Sequence, residues 1–273
     1  MVSRTPKLSI AYPRLEMKSA LEHYSTQGNC LKMTTGSGEL DSLIDGVQEG
    51  LFYLFYGDLL PLDALSHRLL VNCILSVKEH GFESMAVCFN NTDYYGRGKM
   101  ILNPEKIANM AKVAKMEPKV VSKNLYIQTA YNSQHQLQIA KEIAHLIEDN
   151  SEIKLIVINN LTKFFRDSRA EHRLETASTL KEVISLINRA CGKNKVAIIA
   201  TGDSNLSSKG VIPRPIGGTY LKHLANVIVY LKNISTSTFL PSFKATLVKH
   251  QYMKTPKSVI VHGRKCGRTM LLN

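Results

Sequence analysis

With 273 residues, 44% of them hydrophobic and 21% charged, the chain has the composition of a globular protein rather than a disordered or low-complexity one. Lys and Arg total 35 against 22 Asp and Glu, a formal charge of +13 that favours polyanions, although a generic basic surface has the same sign. Five scattered cysteines (Cys30, Cys73, Cys88, Cys191, Cys266), never in CxxC spacing, argue against a disulfide framework or a zinc site. No stretch approaches the roughly 18 apolar residues of a membrane span, and the proline-broken start carries no signal-peptide run. A soluble, cytoplasmic protein without a membrane partner is expected.

In chain order, residues 1–30 read as an arm or linker with a short helix around Glu16–His23, and residues 31–273 as one core domain. A short helix is expected after the Gly-Ser turn in 34–46, closed by Gly46. LFYLFYG (51–57) is an apolar run ending in glycine, hence a buried strand. Apolar residues at helical spacing predict a helix over 62–81, capped by Gly81. Strands are then expected at 84–89, 124–130, 154–160 and 195–201. Between them fall helices at 104–116, opened by proline, at 133–149, with Ser133 and Gln136 as a capping pair, and near 171–191. Strands at 225–232, 243–250 and 257–263 are separated by short turns. Apolar strands alternating with helices indicate an α/β fold, its mainly parallel sheet covered on both faces and extended by antiparallel strands at the C-terminal end.

In such a sheet ligands sit at the carboxyl ends of the strands, and the place for a phosphate loop, G-x-x-x-x-G-K-[ST], follows strand 51–57. The sequence there is Gly57-Asp58-Leu59-Leu60-Pro61-Leu62-Asp63-Ala64. The first glycine is present and the spacing to the expected helix is right. Leu62 stands for the second glycine, Asp63 for the phosphate-binding lysine and Ala64 for the magnesium-binding hydroxyl. Leu resists positive φ, Pro61 lacks an N–H, Asp63 repels phosphate and Ala64 has no oxygen.

Five blocks resemble the RadA recombinases, the archaeal and eukaryotic branch of the RecA family (RadA/RadB-like), in family order and spacing. They are TTGSGELDSLIDGVQEGLFYLFYG (34–57), AYNSQHQLQIAKEIAHLI (130–147), LIVINNLTKFFR (155–166), VAIIATGDS (196–204) and PIGGTYLKHLANVIVYLK (215–232). The resemblance implies a RecA-like core with a Walker A loop at Gly57–Ala64. It places Asn159 where the family's Walker B aspartate holds the magnesium-bound water. The water-activating glutamate falls in Phe89–Asp93, where only Asp93 is a carboxylate. The family's Asn-Gln sensor becomes Gly202-Asp203.

The resemblance also implies two DNA-facing loops. The first would offer Arg166, Arg169, His172 and Arg173, with Lys163 nearby, and the second, 203–215, Lys209 and Arg214; such basic side chains suit phosphate contacts that carry affinity but not sequence. The second loop has no aromatic residue for stacking on bases. Family members polymerise through a Phe-x-x-Ala motif whose Phe enters a neighbour's pocket. Met17 and Ala20 fall at that point, with Met for Phe. Pro215, Gly217 and Gly218 would face a partner subunit's nucleotide.

The expected protein is a RadA paralogue with degenerate ATPase motifs, a non-catalytic accessory of homologous recombination. It would bind a RadA-type recombinase, single-stranded DNA or both, in a homo- or hetero-oligomer. No cofactor is expected, ATP and magnesium entering only if shared with a partner subunit. Rival readings are a divergent but active DNA-dependent ATPase and a regulatory interaction module without DNA binding.

Overall fold

The computed structural model describes residues 30–92, 102–169, 172–205, 211–235, 241–266 and 269–272. A two-stranded antiparallel ribbon, β1 (Lys32–Met33) and β2 (Val47–Gln48), brackets helix α1 (Gly38–Ile44). Ser37 caps α1 by accepting the Leu40 N–H, and Asp45 ends it in the left-handed region. The strands β3 (Phe52–Gly57), β4 (Met85–Asn91), β5 (Leu125–Ala130), β6 (Ile153–Asn159), β7 (Ala197–Gly202) and β8 (Val227–Asn233) run parallel in the order β8-β3-β7-β6-β4-β5. The antiparallel strands β9 (Ser242–Lys249), β10 (Lys257–Cys266) and β11 (Thr269–Leu272) extend the sheet beyond β8 to nine strands. The expected α/β architecture is therefore the one observed, with β11 an addition.

Helices cover both faces. On one lie α1, α2 (Leu59–Ile74), α3 (Pro104–Val113) and α4 (Pro118–Lys123); on the other lie α5 (Ser133–Asp149), α7 (Arg173–Asn194) and α8 (Gly218–Leu224), with α5 packed along α7. A five-residue helix α6 (Lys163–Asp167), not expected from the sequence, precedes α7. Strand β3 explains the two-sided burial: Tyr53 and Phe55 enter the first core, while Phe52, Leu54 and Tyr56 enter the second. Each such buried side chain stabilises the fold by about 1.5–3 kcal/mol, so an unbroken apolar run fits only a central strand.

Several boundaries differ from expectation, among them the end of α3 at Val113. Helix α2 begins at Leu59 instead of Leu62 and ends at Ile74, followed by a 3-10 turn at Val77–Glu79, so Gly81 does not cap it. Asn132, not Ser133, caps α5 by accepting the His135 N–H, and Gln136 instead donates to the Leu161 carbonyl across the second core.

Candidate functional site

The chain leaves β3 for β4 on one side of the sheet and leaves β7 for β8 on the other, so the crevice of such a fold opens at the carboxyl end of β3. Gly57 ends that strand at φ +131°, and a Cβ there would lie 2.1 Å from the Leu231 carbonyl oxygen of β8. The glycine is demanded by this close approach of backbone to backbone. Asp58 follows, its N–H donating to the Leu231 carbonyl (2.9 Å) and its carboxylate accepting the Asn233 N–H (2.7 Å). Helix α2 starts at the next residue. Leu59, Leu60 and Pro61 form its first turn, where proline's missing N–H costs nothing. The loop expected between Gly57 and Leu62 is therefore a helix, with Leu59 and Leu60 presented to solvent and Leu62 and Ala64 buried.

Asp63 points away from this crevice toward α3. It forms an ion pair with Lys106, and its backbone carbonyl accepts the Nδ1 hydrogen of buried His67 (2.7 Å). His67 Nε2 in turn accepts the Asn103 N–H (2.9 Å), next to the Asn103 side chain that caps α3. Burial holds the His67 pKa below its usual value, with the Lys106 charge acting in the same direction and Asp63 opposing. The imidazole is thus neutral and pins the start of α3 to α2. The repulsive charge expected of Asp63 is compensated within the chain.

At the carboxyl ends of β4 and β6 the polar groups are neutral amides. The Asn159 Nδ2 donates to Asn90 Oδ1 (3.0 Å), and Asn91 Nδ2, on the opposite face, donates to the Asn159 carbonyl (2.9 Å). All three asparagines are buried, and Asn91 Oδ1 and Asn159 Oδ1 have no hydrogen-bond partner among the described residues. Asp93 lies outside the described residues.

Past β7, Asp203 forms an ion pair with Arg166 at the end of α6. Asp203 and its neighbours pair with residues 214–216: the Asp203 carbonyl accepts the Ile216 N–H (3.0 Å), and Asn205 N–H donates to the Arg214 carbonyl (2.9 Å). Buried Tyr56 reaches up from β3, its hydroxyl donating to the Pro213 carbonyl (2.8 Å). Burial first, then neighbouring Tyr230, pushes the Tyr56 pKa up, so it stays a donor. Arg169, Arg173 and Arg214 are exposed; Lys209 lies outside the described residues, as do Met17 and Ala20. Gly217, at φ +118°, packs its backbone on Thr162 and Leu221, and Gly218 opens α8. Beside them a groove of about 310 Å³ is lined by Phe165, Leu180, Ile184 and Tyr220. At the far edge of the sheet, β5 has no outer neighbour among the described residues and exposes Tyr126 and Ile127. There a cleft of about 200 Å³ is lined by Leu102, Pro104, Ile107, Ala108, Leu125 and Ile127.

These residues do not fit a magnesium-bound nucleotide. A phosphate cradle needs an open run of inward N–H groups, and here that run is helical, apolar and interrupted by Pro61. The metal would need a hydroxyl or carboxylate; Ala64 and Asn159 supply neither. Among the described residues no three His, Cys, Asp or Glu side chains gather as a metal site. The partners that give these positions their present roles, Lys106, His67 and Tyr56, escaped sequence reasoning because nothing local marks them.

A family model described as Rad51 matches residues 26–238. The match takes in β3 with its glycine, the strand ends that carry Asn159 and Asp203, and the Gly217–Gly218 segment. With most of its length so matched, on a sheet of this order, the chain belongs to the Rad51 family of recombinase-type ATPase domains, a family of DNA recombination and repair.

Proposed function

We propose that this protein is a non-catalytic member of its family, an accessory of homologous recombination that binds a RadA-type recombinase and single-stranded DNA and leaves ATP turnover to that partner. One observation carries the reading: α2 starts immediately after Asp58, so the residues that would cradle phosphates are a helix's first turn. The neutral amides at Asn90, Asn91 and Asn159 support it, since they bring no charge to a metal or to a water nucleophile.

Partner docking has two supports. Strand β5, unpaired on its outer side among the described residues, offers an edge for strand addition, with the apolar cleft beside it for an anchoring side chain. Met17 and Ala20 would serve the reciprocal contact on a neighbouring subunit, and Pro215, Gly217 and Gly218 would lie against that subunit's nucleotide. Single-strand contact would fall to Arg166, Arg169, Arg173, Lys209 and Arg214, as phosphate contacts without base readout.

Co-purification with the host's own RadA-type recombinase, with and without ATP, tests the reading. A stable complex is expected, and it should weaken when Ile127 is replaced by Glu at the β5 edge. DNA-stimulated hydrolysis of MgATP by the isolated protein would overturn it in favour of a divergent ATPase. Salt-sensitive binding of a single strand that survives charge reversal at Arg169, Arg173, Lys209 and Arg214 would overturn the DNA assignment.

A further inference from the structure

Among the described residues, an ion pair joins the two basic segments at their bases. Arg166 lies in the last turn of α6, and Asp203 starts the segment that returns at Ile216; their ion pair bridges the two. Arg166 is fixed on the helix by its N–H to the Thr162 carbonyl (2.9 Å). Asp203 is fixed by the Ile216 N–H on its own carbonyl and by the antiparallel bridge of Ser204 with Pro215. Neither side chain is buried: Arg166 is 39% and Asp203 42% exposed, so solvent and a polyanion reach the pair. The Asp203 carboxylate thus occupies Arg166, one of the groups suited to phosphate.

We propose that Asp203 is an internal competitor for nucleic-acid phosphate: its carboxylate holds the Arg166 guanidinium that a strand would take, and exchange of one for the other unlatches the second segment from the first. The inference rests on the single-stranded DNA reading above. Carboxylate and phosphate oxygens are alternative acceptors for the same guanidinium fork, so strand binding at Arg166 must give up the Asp203 pair. Occupancy of the first segment then loosens the second without any nucleotide, a coupling made inside one chain by a charge pair.

The test is binding of a fluorescein-labelled oligothymidylate, followed by anisotropy across a KCl series, for the full chain and for Asp203→Asn, Arg166→Gln and the double variant. Asp203→Asn keeps the side-chain shape and removes the charge. It is expected to bind up to about fivefold tighter at the lowest salt, the most that a pair of this exposure holds back. One further phosphate contact should steepen the slope of log affinity against log salt by about 0.7. Arg166→Gln should weaken binding, and in its background Asp203→Asn should add nothing, since the two side chains act as one unit. An unchanged slope, or a tightening that persists without Arg166, would sink the latch while leaving the DNA reading intact. Failure of the parent and of Asp203→Asn alike to bind the strand would remove both. Thermal melting of Asp203→Asn at the parent temperature guards against a folding effect.

Discussion

Magnesium ATP should leave the thermal stability of this protein unchanged. A ligand that binds only the folded state stabilises it by RT ln(1 + [L]/Kd), about 2.7 kcal/mol at a concentration 100 times Kd. For a chain of this size, each kcal/mol is worth roughly 2–4 °C in melting temperature, so a functional site under millimolar MgATP would give about 5–10 °C. The structure predicts none of it. Gly57 is pressed against the Leu231 carbonyl, Asp58 is tied to Leu231 and Asn233, and the residues that should open into a cradle continue as α2. Opening that turn would strip Asp58 of both contacts and the Leu62 N–H of its bond to the Asp58 carbonyl, with apolar Leu59 and Leu60 left facing the phosphates. Differential scanning fluorimetry with and without MgATP is the assay. Grafting the family residues as Leu62→Gly, Asp63→Lys and Ala64→Thr together with Asn159→Asp should also give no nucleotide-dependent shift, because Asp58 and the first turn are untouched. A shift of several degrees in the parent refutes the closed-cradle argument; a shift only in the graft would show that side chains, not the helix, keep nucleotide out.

Three other outcomes follow from the same contacts. His67 is held neutral, with its folded pKa below the unfolded 6.5, so the unfolded chain takes up the proton first. Its contribution to stability is complete above about pH 6.5 and is lost as pH falls below that value, and urea midpoints for His67→Phe should show a flatter acid limb. Gly57→Ala places a Cβ 2.1 Å from the Leu231 oxygen at a φ of +131°, and should cost about 3 kcal/mol or more in urea unfolding, whereas an unchanged midpoint would mean that β8 moves freely there. Asn159→Asp buries a carboxylate beside Asn90 Oδ1, so burial raises its pKa and the variant should lose stability as pH rises, by about 1–3 kcal/mol. Recovery in magnesium would show that this position can hold a metal and would count against the non-catalytic reading.

Much of the fold was legible because periodicity carries it. Strand β3 is apolar up to its closing glycine and β6 is apolar from Leu155 to Ile158, which only a sheet covered on both faces requires, and α5 announced itself by its 3.6-residue period. The start of α2 was not legible. Leu59-Leu60-Pro61 after a glycine reads equally as a loop or as a first helical turn, and the contacts that decide it come from Leu231 and Asn233 on a strand about 175 residues away. Asp63 reads from the sequence as hostile to phosphate, and its partner Lys106, 43 residues on, cannot be inferred from the local sequence. Arg166 and Asp203 were singled out for separate reasons, and only the fold makes them a pair.

The departures from the family's ATPase pattern are tied into the structure rather than left as gaps. Asp63 holds α3 through Lys106 and, with His67, the cap at Asn103. Asn159 links β6 to β4 through Asn90, and Asp203 joins two segments through Arg166. Each position has a partner chosen by charge or by hydrogen-bond polarity, so restoring a family residue one at a time breaks a contact before it gains a ligand. Lysine at 63 would face Lys106, and a carboxylate at 159 would face the Asn90 oxygen. On the non-catalytic reading proposed above, restoring position 63 or 159 alone would cost a contact, and Asp58 would still be tied to β8. The sheet, the β5 edge and the basic segments are the parts that the proposed recombinase partner and DNA strand would use.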